Sequence, residues 1–394
     1  MPAPEKKQIT GTGEDHYLTD SKYQGIEADL KKSGKKRRNS CKSDNGGSIH
    51  NNHPFPATRY QGSKAKITGW IWENIKDIEF ETALDAFGGT GCVSHMLKRE
   101  GKSVTYNDIL KFNHIIGKAL IENNNITLTD SDIEFLLRKN GGTDYKTFIR
   151  DNFRDIFYLD EENAWLDMAV KNISLLDGEY KQSLAYFALY QSCIIKRPYN
   201  LFHRANLSVR TSDVKRTFGN KTTWDRPFEE LFRKFITEAN NAVFCNGKTC
   251  RSINYDALKI PDEDYDLIYI DTPYISGRGT GVDYIDFYHF PEGMTDYDNW
   301  DDRILKKYKH RPIEGRRQNP WADKKKIYGA FEELIRKYKD SVLVISYRSD
   351  GIPSEDEIKN LLNKYKNNVC EVRNTDYRYA LSNKKTSEIL FIAE

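Results

Sequence analysis

The sequence predicts an α/β protein built on a doubly wound, Rossmann-like sheet, interrupted by a mainly helical insertion. Three observations predict it. Thr82-Ala83-Leu84-Asp85-Ala86-Phe87-Gly88-Gly89-Thr90-Gly91 is a short apolar run feeding a glycine-rich turn, and the amphipathic stretch Cys92 to Arg99 follows it. Tyr265 to Ile270 is a second apolar, β-branched run that breaks at Asp271-Thr272-Pro273-Tyr274. Between them, residues 113–242 are rich in aromatics and polar groups and lack strand alternation, which reads as an insertion between the second and third strands.

Composition bounds the function classes. The chain has 394 residues, 38% hydrophobic and 30% charged, enough for one large domain with an insertion or for two domains. No apolar run approaches the length of a membrane span and the N-terminus has no signal-peptide pattern, so the expectation is a soluble cytoplasmic protein without a membrane partner. The six cysteines lack CxxC spacing, which argues against a disulfide framework and against a zinc site, and no metal is expected. Net charge is +3, and the first 50 residues, with ten Lys/Arg and seven Asp/Glu, account for all of it. An anionic partner must therefore be met by local patches on a balanced body.

Taken in order, residues 1–52 form a basic tail whose composition cannot bury enough apolar surface to order it. Order is expected from residue 53, with Tyr60-Gln61-Gly62-Ser63-Lys64 leading into a helix over Ala65 to Ile78, capped by Ser63. Lys64 then falls in the first helical turn, where the dipole disfavours a cation, and a carboxylate partner elsewhere would explain it. After the glycine turn, Ser103 to Asp108 reads as a second strand ending in an acid about 20 positions on, where such sheets bind ribose hydroxyls; a helix cap is the competing use of Asp108. Within the insertion, Lys196, Arg197, Arg204, Arg210, Lys215, Arg216 and Lys221 stand against one acid, Asp213, with Tyr199, Phe202, His203 and Phe218 among them. That mixture suits nucleic-acid phosphates and bases, with a solvated face as the alternative. The sheet resumes at Thr249 to Ile253 and the central strand, and Ile275 to Asp286 is a glycine-punctuated loop. Residues 303–326 hold ten Lys/Arg against two acids, a second phosphate contact or a solvated segment. A helix over Ala322 to Lys339, a buried strand over Ser341 to Tyr347, and strands over Val369 to Arg373 and Glu388 to Ile392 close the chain.

The Asp271-Thr272-Pro273-Tyr274 turn suggests a chemistry of its own. An exocyclic amine on a base is a poor nucleophile because its lone pair is delocalised into the ring. A carboxylate at Asp271 and the Thr272 carbonyl can accept its two N–H bonds and direct the lone pair outward, while Tyr274 offers a ring to stack on a base flipped from the duplex. No cysteine follows a proline, so carbon methylation of cytosine through a covalent thiolate has no nucleophile.

In their order these parts resemble the DNA adenine-N6 methyltransferases of the alpha arrangement, Dam-like enzymes of restriction-modification type, over about residues 57–394. The resemblance implies an S-adenosylmethionine-dependent methyltransferase sheet from residues 53–112 and 243–394, with 113–242 as the target-recognition and DNA-binding insertion. It implies that Tyr60, Lys64, Asp85, Phe87, Gly89, Gly91, Asp108, Asp256 and Asp271 bind S-adenosylmethionine, and that Asp271, Thr272, Pro273 and Tyr274 are catalytic. The expected substrate is the N6 amine of adenine in a specific double-stranded DNA sequence, with a cognate restriction endonuclease as a further partner. Thr272 departs from the family's usual proline; Pro273 still biases its backbone away from the helical region, so the carbonyl geometry can survive. The alternatives are a cytosine-N4 or RNA amino-methyltransferase, disfavoured by Asp271 where serine is usual for cytosine, and a non-catalytic DNA-binding module that retains the fold.

Overall fold

The computed structural model describes residues 53–214, 221–276, 279, 281, 283–314, 319–374 and 386–394. The basic tail up to residue 52 and the candidate DNA-binding residues Lys215 and Arg216 lie outside the described residues. The strands are β1 (Thr82–Asp85), β2 (Ser103–Asn107), β3 (Arg251–Ile253), β4 (Leu267–Ile270), β5 (Ile275–Ser276), β6 (Val342–Arg348), β7 (Gly351–Ile352), β8 (Val369–Asn374) and β9 (Glu388–Ala393). The main sheet runs β3-β2-β1-β4-β6-β9-β8, with β5 and β7 in a separate antiparallel ribbon. Strands β3, β2, β1, β4 and β6 are parallel, β9 is antiparallel to both of its neighbours, and β8 therefore points with the parallel set. The chain steps outward from β1 to β3 and then returns to the other side of β1 at β4. That reversal opens a crevice beyond the carboxyl ends of β1 and β4, where such sheets bind ligands.

Alternation explains the layers. Ala83, Val104, Leu267, Tyr269 and Val344 face one core, while Leu84, Ile268, Ile270, Leu343 and Ile345 face the other. The first core is covered by α1 (Thr68–Ile75), α2 (Cys92–Arg99), α3 (Lys111–Gly117), and the long α4 (Glu179–Ile195) and α5 (Phe228–Ala242); Leu184, Phe187, Phe232 and Phe235 of the last two share it with the strands. Helix α6 (Tyr284–Met294) joins the same side, and α7 (Ile327–Lys337) and α8 (Glu355–Leu362) close the second core. Helix α8 starts at a capping box in which Ser354 and Glu357 satisfy each other's backbone N–H groups. No helix among the described residues is long and apolar enough to cross a membrane.

Two expected boundaries move. The first helix starts at Thr68, with Ile67 in place of Ser63 at its cap, because Gly62 takes φ +82° and turns the chain before Lys64. Ser63 instead reaches Thr90 of the glycine turn at 3.3 Å, and Lys64 lies in a loop outside the helix dipole. The later helix begins at Ile327, after a separate turn at Pro320–Ala322 whose Trp321 is buried against Phe87 and Phe331.

Candidate active site at the carboxyl ends of β1 and β4

A cavity of about 700 Å³ occupies the crevice, lined by the glycine turn, the ends of β1, β2 and β4, and the start of α6. The turn owes its shape to its glycines. Gly89 and Gly91 take φ +53° and +78°, and a Cβ on Gly88 would stand 2.0 Å from the Tyr106 ring. Tyr106 donates to the Gly89 carbonyl at 2.7 Å, which ties the turn to β2.

Two buried acids flank it. Asp108 accepts from Gly89 N at 3.0 Å and Asn113 Nδ2 at 3.1 Å through Oδ2, and from Leu110 N at 2.8 Å through Oδ1. Asp108 thus holds the backbone at Leu110, just before α3, and lines the cavity. Burial pushes its carboxyl up to about 6, against the lowering effect of those three donors. Asp85, 1% exposed, is pushed up to about 7 by burial, opposed by the Ser94 hydroxyl at 2.7 Å and reinforced by the charge of Asp271. Its Oδ1 has no partner with hydrogen-bond geometry, although the Phe87 N–H acts on the carboxylate. An orphaned, buried acceptor beside a cavity fits a ligand that brings a cation or a donor.

Lys64 resolves the question its position raised. Its ammonium, 2% exposed, donates to both Asp271 oxygens at 2.8 Å and to the Tyr274 hydroxyl at 2.9 Å. Tyr274 in turn donates to Asp271 Oδ1 at 2.6 Å, and its ring meets Tyr347 edge-on at 5.5 Å. A second acid stands behind them. Glu388 at the start of β9 is fully buried, takes a hydrogen bond from Ser346, and lies 3.7 Å from Lys64 Nζ. Two carboxylates around one ammonium hold Asp271 in a fixed orientation, since each charge left without the others would face a large desolvation cost. Sequence reasoning missed Glu388; its sole local signal was an acid opening an otherwise apolar strand. It also missed Tyr284 and Tyr288 of α6, which stack on Tyr60 at 5.4 and 4.5 Å, and Glu292, which accepts from Lys111 N and Phe112 N at the start of α3.

The structure brings Tyr60, Lys64, Asp85, Phe87, Gly89, Asp108, Asp256, Asp271, Pro273 and Tyr274 to one cavity wall. Gly91 stands at the left-handed cap of α2 behind the turn, and Asp256 caps a short turn through Leu258 N at 3.2 Å. Thr272 is buried, with its Oγ1 unpartnered. Among the described residues, the basic cluster of the insertion divides between buried and solvent-facing cations. Lys196, Arg197 and Arg210 are buried and serve the fold: Lys196 and Arg210 share Glu162, and Arg197 donates to the Leu201 and Arg204 carbonyls. Their chemistry was read correctly as cationic, but three cations among Phe157, Tyr158, Phe202 and Phe228 stack inward on those rings. Arg204 is half-buried, and Lys221 is exposed but paired with Asp225.

A mainly parallel sheet in this order, a glycine turn leading β1 into α2, and a lysine-held carboxylate beside a tyrosine after β4 define a methyltransferase of the Rossmann-like type. The chain belongs to the D12 class of N6 adenine-specific DNA methyltransferases, a family that matches residues 60–341. It is 30% identical over 363 residues to the type II methyltransferase M2.HphI of Haemophilus parahaemolyticus, covering 87% of this chain and 99% of that protein. It is 26% identical over 349 residues to the modification methylase LlaI of Lactococcus lactis subsp. lactis, and 27% identical over 329 residues to the type II methyltransferase M.FokI of Planomicrobium okeanokoites. Those two matches cover 82% and 78% of this chain, and 52% and 47% of the longer relatives. The protein is thus an adenine-specific DNA methyltransferase, and DNA and a methyl donor are its substrates.

Proposed function

We propose that the chain is a modification enzyme of a restriction-modification system, which transfers the methyl group of S-adenosylmethionine to N6 of an adenine flipped out of one specific duplex sequence. The observation that carries this reading is the Asp271 carboxylate, held at the carboxyl end of β4 by two 2.8 Å bonds from a buried lysine, at the wall of a cavity that also contains the glycine turn. Relatives that are themselves type II modification methylases support the restriction-modification context, and a cognate endonuclease reading the same sequence belongs to the proposal.

The residues present fit the cofactor. Asp108 and Asp256 suit the ribose hydroxyls and the adenine amine, the Gly89 turn admits close approach of a ligand beside the Tyr60 ring, and the orphaned Oδ1 of Asp85 suits an ammonium. Bound there, S-adenosylmethionine supplies an electrophilic methyl group on a sulfonium. Asp271 and the Thr272 carbonyl accept the two N–H bonds of the target amine and turn its lone pair towards that methyl. Lys64 fixes the Asp271 carboxylate, and the Tyr274 ring stacks on the flipped base, offsetting the few kcal/mol that unstacking costs. We place target recognition in residues 113–242, with Arg204 and Lys221 towards DNA, and catalysis in residues 53–112 and 243–394. Methylation-sensitive sequencing of DNA from cells expressing the protein tests the reading. One motif modified at one adenine is the expected result, and modification scattered without a motif would sink site specificity.

A further inference from the structure

The basic stretch after residue 303 forms a defined hairpin at the cavity rim. Ile304 and Ile313 pair across an antiparallel bridge, both buried, and Leu305 N donates to the Pro312 carbonyl at 2.8 Å. The tip is closed by Arg311, whose φ of +54° and N–H bond to the Tyr308 carbonyl at 3.0 Å fix a tight return. Its feet, Arg303, Ile313 and Glu314, line the same cavity as Asp271 and Tyr274. At the tip, Lys306, Lys307, Tyr308 and Lys309 are exposed, Tyr308 at 44%.

The tip carries cations with no acid beside them among the described residues, on a segment that roots in the cavity. Several exposed cations stand against acids, as with Arg150 and Asp160, Arg226 and Glu230, or Lys248 and Glu81. In the hairpin, Arg303 is matched by Asp296 and Lys306 by Asp301, but Lys307 and Lys309 have no carboxylate partner among the described residues. The Lys307 ammonium lies 5.1 Å from the centre of the Tyr308 ring. The hairpin also touches α6, where His310 meets His289 ring to ring at 5.7 Å, and His289 in turn bonds the Phe202 carbonyl of the insertion at 3.0 Å. Unmatched cations and an exposed aromatic thus stand on a hairpin rooted in the wall of the cavity that holds Asp271 and Tyr274.

We propose that the Lys306–Arg311 tip is a phosphate clamp that grips the DNA backbone beside the flipped adenine through Lys307 and Lys309, without reading sequence. The proposal deepens the reading of the cavity as a base-flipping site and rests on it. The test is the affinity of the 394-residue chain for its duplex between about 50 and 200 mM salt, by fluorescence anisotropy, for wild type and for K307Q/K309Q. Loss of two phosphate contacts lowers the slope of log affinity against log salt by about 1.8. The methylated motif and the melting temperature stay unchanged, and K307R/K309R keeps the wild-type slope. K76Q/K248Q removes two acid-paired charges beside Glu73 and Glu81, ahead of the amino ends of β1 and β3, and leaves the slope unchanged. An unaltered slope in K307Q/K309Q, or an equal fall in the control, overturns the clamp. A wild-type chain with no salt-dependent affinity for duplex DNA would instead contradict the parent reading.

Discussion

Replacing Asp85 by Asn pits stability against cofactor binding. The carboxyl is fully desolvated and pushed up to about 7, from an ordinary value of 3.8, so the folded protein holds a proton that the unfolded chain releases. The sign follows: a folded state that binds more protons loses stability as pH rises, until pH passes about 7. Two pH units between 5 and 7, at about 1.4 kcal/mol each, give a loss of about 3 kcal/mol that Asp85→Asn does not suffer. The variant is therefore expected to melt higher than wild type at pH 8, with an advantage that shrinks by about that amount at pH 5. The Ser94 hydroxyl, now 2.7 Å from Oδ2, still finds an amide oxygen to bond. If Asp85 meets an ammonium of the methyl donor, the same variant binds S-adenosylmethionine about tenfold more weakly at pH 8. Thermal melts at both pH values, with calorimetric titration of the donor, read the two effects separately. An equal stability difference at pH 5 and pH 8 would refute the claim that Asp85 carries the buried proton, and tighter donor binding in the variant would refute its place in the site.

Three further substitutions separate roles around the cavity. Tyr274→Phe keeps the ring but removes the bonds to Lys64 and Asp271, so single-turnover transfer should fall about tenfold, equally on matched and mispaired targets, whereas Tyr274→Ala should lose more on matched DNA, where flipping costs more. Glu388→Gln keeps an acceptor for Ser346 and removes a buried charge beside Lys64; a rate about tenfold lower with an unchanged KM for DNA is expected, and a wild-type rate would return Glu388 to a purely structural part. Arg210→Gln should cost about 3 kcal/mol of stability by denaturant melt, because it breaks a buried two-bond pair with Glu162, and should leave the salt dependence of DNA binding alone.

What the sequence disclosed was local. The apolar run into Gly88-Gly89, the acid at Asp108 and the turn at Asp271 each sit on consecutive residues whose backbone preferences place them at strand ends, whatever surrounds them. Lys64 was legible in part: its awkward place at a presumed helix start called for a carboxylate, and the partner is Asp271, 207 positions on, although the helix starts later than its pattern implied. Glu388 stands 114 positions beyond Tyr274 and reaches the site through the register of an antiparallel strand, which no neighbouring residue encodes. Lys196, Arg197 and Arg210 of the basic insertion misled for the same reason. A run of cations and aromatics has one composition whether the rings stack on nucleotides or on guanidinium groups, and burial decides between the two.

The most direct test of the central claim is nucleoside analysis by mass spectrometry. Purified protein is incubated with unmethylated duplex DNA and S-adenosylmethionine, and the DNA is digested to nucleosides, for wild type and for Asp271→Ala. The account predicts N6-methyladenine as the modified base with wild type, and a loss of at least about a hundredfold in Asp271→Ala at saturating donor. N4-methylcytosine in the wild-type digest, or undiminished N6-methyladenine in the variant, would contradict it.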